Sequence, residues 1–127
     1  MGPGWYSLSE YGVWSTNKAQ IIISLDDESK NQKEYELRIW FKMLAASILS
    51  PNRVKVTMNN KFLVNWAIKS EETNQRILII KKESIENNEI VIDFDIPNAT
   101  SPSSLGINDD DRNLGILLQA IELKSQM

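Results

Sequence analysis

Residues 101–115, Ser-Pro-Ser-Ser-Leu-Gly-Ile-Asn-Asp-Asp-Asp-Arg-Asn-Leu-Gly, gather many of the side chains with chemical potential into one polar, turn-rich stretch. Asn108, Asp109, Asp110 and Asp111 are hard oxygen donors of the kind a calcium ion takes. The helix–loop–helix calcium spacing fails here. Counting from Asp110 puts Gly115 sixth but Ile121 twelfth, and counting from Asp111 puts Glu122 twelfth but Ile116 sixth. Aspartates also cap turns through neighbouring backbone amides, which is the first reading of the run. A structural metal ion is the second, and no metal ligands are assigned. Ser101, Ser103 and Ser104 have no histidine to activate them, because the chain has none. The lack of histidine also removes the commonest general base and zinc ligand. The lack of cysteine removes thiolate catalysis, disulfides and cysteine-based zinc sites. Glu10 with one of the aspartates would make a carboxylate pair for glycoside hydrolysis, but any small domain contains such pairs. With no glycine-rich phosphate loop either, the chain is expected to be neither an enzyme nor a holder of a cofactor.

Two charges stand apart. Glu10 and Arg112 each lie in an unusual segment, and a bidentate pair between them would lock the N-terminal segment to the long loop. Alternatively, both would point into a pocket and hold the hydroxyls of a ligand. The aromatic side chains add a second kind of chemistry. Trp5, Tyr6, Tyr11 and Trp14 crowd the first fifteen residues, and Trp40 and Trp66 follow. Trp66 is in phase with Phe62, Val64 and Ile68 and is read as core. Trp40 falls between Arg38 and Lys42 on the polar side of its strand, where a ring can stack on a sugar face or cover a sheet edge. Trp14 or Trp5, with Glu10, Asp109 and Arg112 as polar partners, makes a candidate carbohydrate platform, and Trp40 makes a separate one.

The elements that must position these residues are short. Glu34–Met43 alternates, with Tyr35, Leu37, Ile39 and Phe41 opposite Glu34, Glu36, Arg38, Trp40 and Lys42. That is the pattern of a half-buried antiparallel strand. Further strands are read at residues 20–25, 53–58, 61–68, 76–81, 89–96 and 114–123. Asn59-Asn60 serves as a two-residue hairpin turn, since asparagine tolerates positive φ. Residues 26–33 and 83–88 read as turns, and 44–50 as a helical turn stopped by Pro51. The apolar phase of the last strand shifts between Ala120 and Ile121, which suggests a bulge or burial of both faces. The predicted core includes Leu37, Ile39, Phe41, Val56, Val64, Ile79, Ile92, Phe94 and Leu118. Short strands with regular turn signals predict an all-β chain, an antiparallel two-sheet sandwich of jelly-roll type with its first and last strands adjacent.

The 127 residues are read as a single domain, with a net charge of -3 and no basic run longer than Lys81-Lys82. Nucleic-acid binding leaves a clustered positive footprint, so no nucleic-acid partner is expected. No apolar run approaches the roughly 20 residues that span a bilayer, so this domain is not expected to insert in a membrane. The opening Met1-Gly2-Pro3-Gly4 fits a domain cut from a larger chain. Cysteine-free composition suits the cytoplasm and a bacterial periplasm equally.

The opening residues 4–15, Gly-Trp-Tyr-Ser-Leu-Ser-Glu-Tyr-Gly-Val-Trp-Ser, and the closing Leu105-Gly106-Ile107-Asn108-Asp109-Asp110-Asp111-Arg112-Asn113-Leu114-Gly115-Ile116 after Ser101-Pro102 together resemble an uncharacterised β-sandwich accessory domain. Domains of that family are appended to bacterial glycosyltransferases and to membrane sugar- or glycerophosphate-transferring enzymes. The resemblance is specific at both ends and loose between. Where that family usually has Asn-Gly at the central hairpin, this chain has Asn59-Asn60. The resemblance implies that Trp5, Glu10, Gly12, Trp14, Ser15, Asp109, Arg112 and Gly115 belong together. It implies a setting in glycan assembly without implying a mechanism. The expectation is a non-catalytic accessory module with weak carbohydrate affinity. The alternative is a docking module that binds the catalytic domain of its own chain and has no affinity for glycans.

Overall fold

Alternation in Glu34–Met43 sets the architecture. A computed structural model describes residues 2–26, 33–44 and 51–126, and there every second side chain of this strand is buried, from Tyr35 to Met43. Eight strands are found among the described residues: β1 (Val13–Trp14), β2 (Lys18–Ser24), β3 (Glu34–Met43), β4 (Asn52–Met58), β5 (Lys61–Ile68), β6 (Asn74–Lys81), β7 (Glu89–Asp95) and β8 (Ile116–Gln126). They form two antiparallel four-stranded sheets, ordered β1-β8-β3-β6 and β2-β7-β4-β5. The expected two-sheet sandwich of jelly-roll type is therefore the observed fold. The strand expected first, at residues 20–25, is β2 and sits at the edge of the second sheet beside β7, so it does not adjoin the last strand. The short β1, which the sequence did not announce, pairs with β8 instead, Trp14 with Leu117 and Val13 with Leu118.

Turn chemistry explains the connections. Asn59 and Asn60 have φ of 46° and 67°, and Asn87 and Asn88 have 54° and 57°. Successive positive φ values are what a tight hairpin turn requires, and asparagine pays less for them than most residues. Asn59 does more than turn the chain. It is buried, its Nδ2 donates to the carbonyls of Ser84 and Glu89, and its Oδ1 accepts from the Val91 N–H. A glycine at this position would lose all three bonds. Of the other two turns read from sequence, residues 27–32 and 45–50 lie outside the described residues.

Between the sheets, Phe41 stacks on Trp66 at 5.5 Å between ring centroids, and Phe94 approaches the same indole at 6.2 Å. Leu37, Ile39, Val56, Ile92 and Leu118 are buried as expected. Ile79 is not: it is 47% exposed, while Leu78 and Ile80 point inward. The run Ile-Leu-Ile-Ile is apolar in both phases, so alternation could not choose between its faces. Pairing does, because Ile79 lies opposite the outward Glu36 and Leu78 opposite the inward Leu37. Val64 is only partly buried. The register skips Leu63 between Val56–Val64 and Thr57–Phe62, and beyond this bulge Phe62 is carried to the outside, where it is exposed. A bulge, one of the two readings of the last strand's phase shift, does form, but just before Ala120 instead of after it. Trp40 pairs with Ala120 but Phe41 with Leu118, leaving Gln119 as the extra residue.

Candidate functional site

The N-terminal segment and the long loop meet on the β1 side of the first sheet. Trp5 bridges Ser15, the Tyr6 N–H bonds the Trp14 carbonyl, and β1 in turn pairs with β8. Ser15 is fully buried at this junction. Its hydroxyl donates to the Thr16 carbonyl and accepts from the Ile116 N–H. Ser15 and Lys18 stand at a Ser-x-x-Lys spacing, but a buried hydroxyl committed at both ends is structural. Gly12 and Gly115 let the backbones close. A Cβ on Gly12, whose φ is +134°, would stand 2.3 Å from the Leu118 carbonyl oxygen, and one on Gly115 would stand 2.5 Å from Ser15 Oγ. Gly12→Ala is therefore expected to lower stability by about 1–3 kcal/mol, since both backbone strain and a backbone clash oppose it. Chemical denaturation checks this against Gly106→Ala, which carries the strain of a positive φ (+72°) but meets nothing within 4 Å, so the excess loss at Gly12 measures the clash.

Cross-strand partners face the same side of a sheet, so the register sorts the aromatic residues. Ser15 and Trp5 point inward. Trp5 packs against the core, and its Nε1–H donates to the Gln20 carbonyl at 2.9 Å. One residue on, Tyr6 and Trp14 lie on the outer side. Trp14 is in register with Leu117, and Leu117 with Lys42 of β3. Trp40 follows in the adjacent outer row, opposite Ala120 and Gln75. Leu117 points outward yet is only 6% exposed, so its neighbours on that face cover it. Tyr6, Trp14 and Trp40 are each partly exposed. The outer face of the first sheet thus carries an aromatic strip that crosses four chain segments. Trp14 and Trp40 stand two strands apart, roughly 9–10 Å in the hydrogen-bonding direction. An oligosaccharide can span that distance where a single ring cannot.

The expected Glu10–Arg112 lock does not form. Glu10 is exposed at the hairpin turn closed by Ser9 and Gly12, and it makes no ion pair among the described residues. Arg112 is instead held by Asp110 at 2.8 Å, and its guanidinium lies over the Tyr6 ring, 5.2 Å from the centroid. The Tyr6 hydroxyl donates to the Asn113 carbonyl at 3.1 Å. The two segments are joined, but by Tyr6 rather than Glu10. Opposite charge favours Glu10, but alternation from the Trp5–Ser15 bridge puts Tyr6 on the face that Arg112 reaches, so the phase of the segment selects the partner.

The aspartate run behaves as turn caps. The Asp110 N–H bonds Asn108 Oδ1, the Arg112 N–H bonds Asp110 Oδ1, and Asp111 accepts from the Ser103 hydroxyl. Asp109 is exposed. Among the described residues no three acidic side chains converge as a cation would need. The Arg112 side chain holds the Asp110 carboxyl below its ordinary range, first through the side-chain hydrogen bond and then through the backbone bond. A lowered folded-state pKa means that the pair's contribution is complete above the ordinary carboxylate value. It is lost as the pH falls through the lowered one. Acidification is thus expected to release Arg112, read as a shift of its Nε–H and of the Tyr6 ring resonances. In Asp110→Asn that titration should vanish.

Elsewhere, a hollow of about 340 Å³ on the second sheet is lined by Pro3, Lys18, Gln20, Thr57, Asp93 and Asp95. It is concave where the aromatic strip is open, and two of its polar side chains, Gln20 and Asp93, are bonded to each other. Gln20 Nε2 donates to Asp93 Oδ1, and the register sets Lys18 and Lys55 on either side of Asp95. Its one aromatic lining residue, Phe94, is 1% exposed and packs on Trp66 in the core, so the hollow offers no ring to stack on and the strip is the stronger candidate.

No protein-family model and no curated protein sequence matches the chain. Solved structures do match in fold. A family 35 carbohydrate-binding module from an environmental isolate aligns with TM-score 0.55 and 12% identity, over 98% of this chain and 74% of that one. A carbohydrate-binding module in complex with calcium and xylotriose aligns with TM-score 0.55 and 10% identity, over 98% and 91%. Dimeric latent PorU from Porphyromonas gingivalis aligns with TM-score 0.60 and 12% identity, but the chain covers only 10% of its length. At such identities the likeness is one of fold.

Proposed function

We propose that this chain is a non-catalytic accessory module that binds carbohydrate weakly within a larger protein, through the outer face of its first sheet. The observation that carries the reading is the placement of Trp14 and Trp40 on one sheet face. A pyranose presents an apolar plane of C–H groups and a rim of hydroxyls. Indole rings match the plane, and the amides of Gln75 and Gln119 beside Trp40 match the rim. The two carbohydrate-binding modules of like fold, of which this chain spans 74% and 91%, support the reading. The resemblance of both chain ends to an accessory domain of glycan-assembly proteins supports a bacterial polysaccharide-synthesis protein as the host.

On an open sheet face each hydrogen bond replaces one to water, and the net gain is about 1 kcal/mol apiece. Affinity is therefore expected from millimolar to high micromolar, equal to roughly 4–6 kcal/mol. Titration with xylotriose and with neutral and acidic oligosaccharides, followed by tryptophan fluorescence and amide shifts, tests it. If nothing near Trp14 or Trp40 responds, the docking reading takes over. That alternative has its own support. Leu8, Tyr11 and Ile107 are 80%, 70% and 58% exposed on the two joined segments, which suits contact with a neighbouring catalytic domain.

A further inference from the structure

We infer that the saccharide held on the aromatic strip carries a negatively charged substituent, placed against Lys42. This rests on the carbohydrate-binding reading above and names the class of ligand for the same face. Lys42 occupies the row of Trp14 and Leu117, and it lies two residues along β3 from Trp40, on the same side. It therefore stands next to Trp40 on β3 and in line with Trp14 two strands away. It is partly buried there, and a lysine in such a place keeps its ammonium in water while its aliphatic stem covers apolar neighbours.

The cations in the outer rows next to the strip are already neutralised, and Arg76, which bonds only the Gln75 carbonyl, lies opposite the inward Ile39 and so in an inward row. Arg38 binds Glu36 at 2.5 Å and faces Glu122 across the sheet. Lys124 binds Glu122 at 3.2 Å and faces Glu36. Arg112, beyond Tyr6, is held by Asp110. Lys42 makes no ion pair with any described residue, so it is the uncompensated charge in the outer row beside Trp40. An ammonium is a compact point charge with three donors, so it reads the charge of an anion rather than its shape. A neutral ring leaves that ammonium in water, whereas an acidic ring stacked on either indole brings its anion to it. An amino sugar is repelled. The net charge of -3 for the whole chain makes this local excess a feature of the face and not of the composition.

The test compares trigalacturonate with galactotriose, the same ring with and without the carboxylate, at low salt and at high salt. The affinity of trigalacturonate should exceed that of galactotriose by roughly two- to five-fold at low salt, the range an open ion pair supplies. High salt should remove that advantage. Lys42→Ala should abolish the preference while leaving galactotriose binding in place. Lys42→Arg should keep the preference, and Lys81→Ala, four rows along the same sheet, should not alter it. A sulfated galactose oligomer bound as well as trigalacturonate confirms that charge is what is read; one bound no better than galactotriose overturns that. Equal affinity for the acidic and neutral trimers, or a preference that survives Lys42→Ala, overturns the inference while leaving the carbohydrate reading intact. If neither trimer binds at any salt, the carbohydrate reading fails and this inference with it.

Discussion

Phe94→Ala is expected to destabilise the domain by about 3–5 kcal/mol, the range for deleting a buried phenylalanine ring. Phe94 is 1% exposed and belongs to β7, with β2 on one side and β4 on the other. Its ring is one of three that cross the space between the sheets, with Trp66 beside it and Phe41 coming from the opposite layer. The void left by alanine would be walled by strands hydrogen-bonded on both sides, which cannot easily close in. Since a domain of this size holds only about 5–15 kcal/mol in total, a large share of the stability goes with one ring. Urea denaturation should show a lower midpoint with an unchanged slope. Ile79→Ala serves as the contrast. That side chain is half in water, and its loss should stay within about 0.5 kcal/mol. Similar losses at both positions would contradict the packing described above.

Trp14→Ala and Trp40→Ala are each expected to weaken saccharide binding about ten-fold, equivalent to about 1.4 kcal/mol. Each removes one of two stacking surfaces, and the remaining ring cannot span the distance between them. Trp5→Phe should leave binding unchanged, because Trp5 faces the core, and should cost stability through the lost bond to the Gln20 carbonyl. Titration of the three variants, with circular dichroism to confirm folding, separates the roles. Undiminished binding in both Trp14→Ala and Trp40→Ala would remove the strip as the site and turn attention to the hollow lined by Asp93 and Asp95.

Much of this fold was legible in the chain because period two is a local property. Glu34–Met43 and Lys61–Ile68 were delimited to the residue, and Asn59-Asn60 announced its own turn. Errors arose where local pattern is degenerate. Residues 77–80 are apolar in both phases, so only pairing with β3 could turn Ile79 outward. Phe62 followed the phase of Trp66 until a bulge, invisible in composition, reversed it. Val13–Trp14 was too short to read as a strand and became one because β8 offered it an open edge.

The candidate site divides in the same way. Residue types alone determined that this chain has no histidine, no cysteine and no cysteine or histidine metal set, and that its unusual side chains sit near its two ends. They also marked Trp40 as an aromatic on a polar face. Tertiary structure decided which of them are neighbours. Alternation about the Trp5–Ser15 bridge sends Trp5 to the core and Tyr6 and Trp14 to the surface, and only the order β1-β8-β3 brings Trp14, Lys42 and Trp40 onto one face. Strand order is set by which edges close the two sheets around a shared core. That is a property of the whole chain, and no window of sequence contains it.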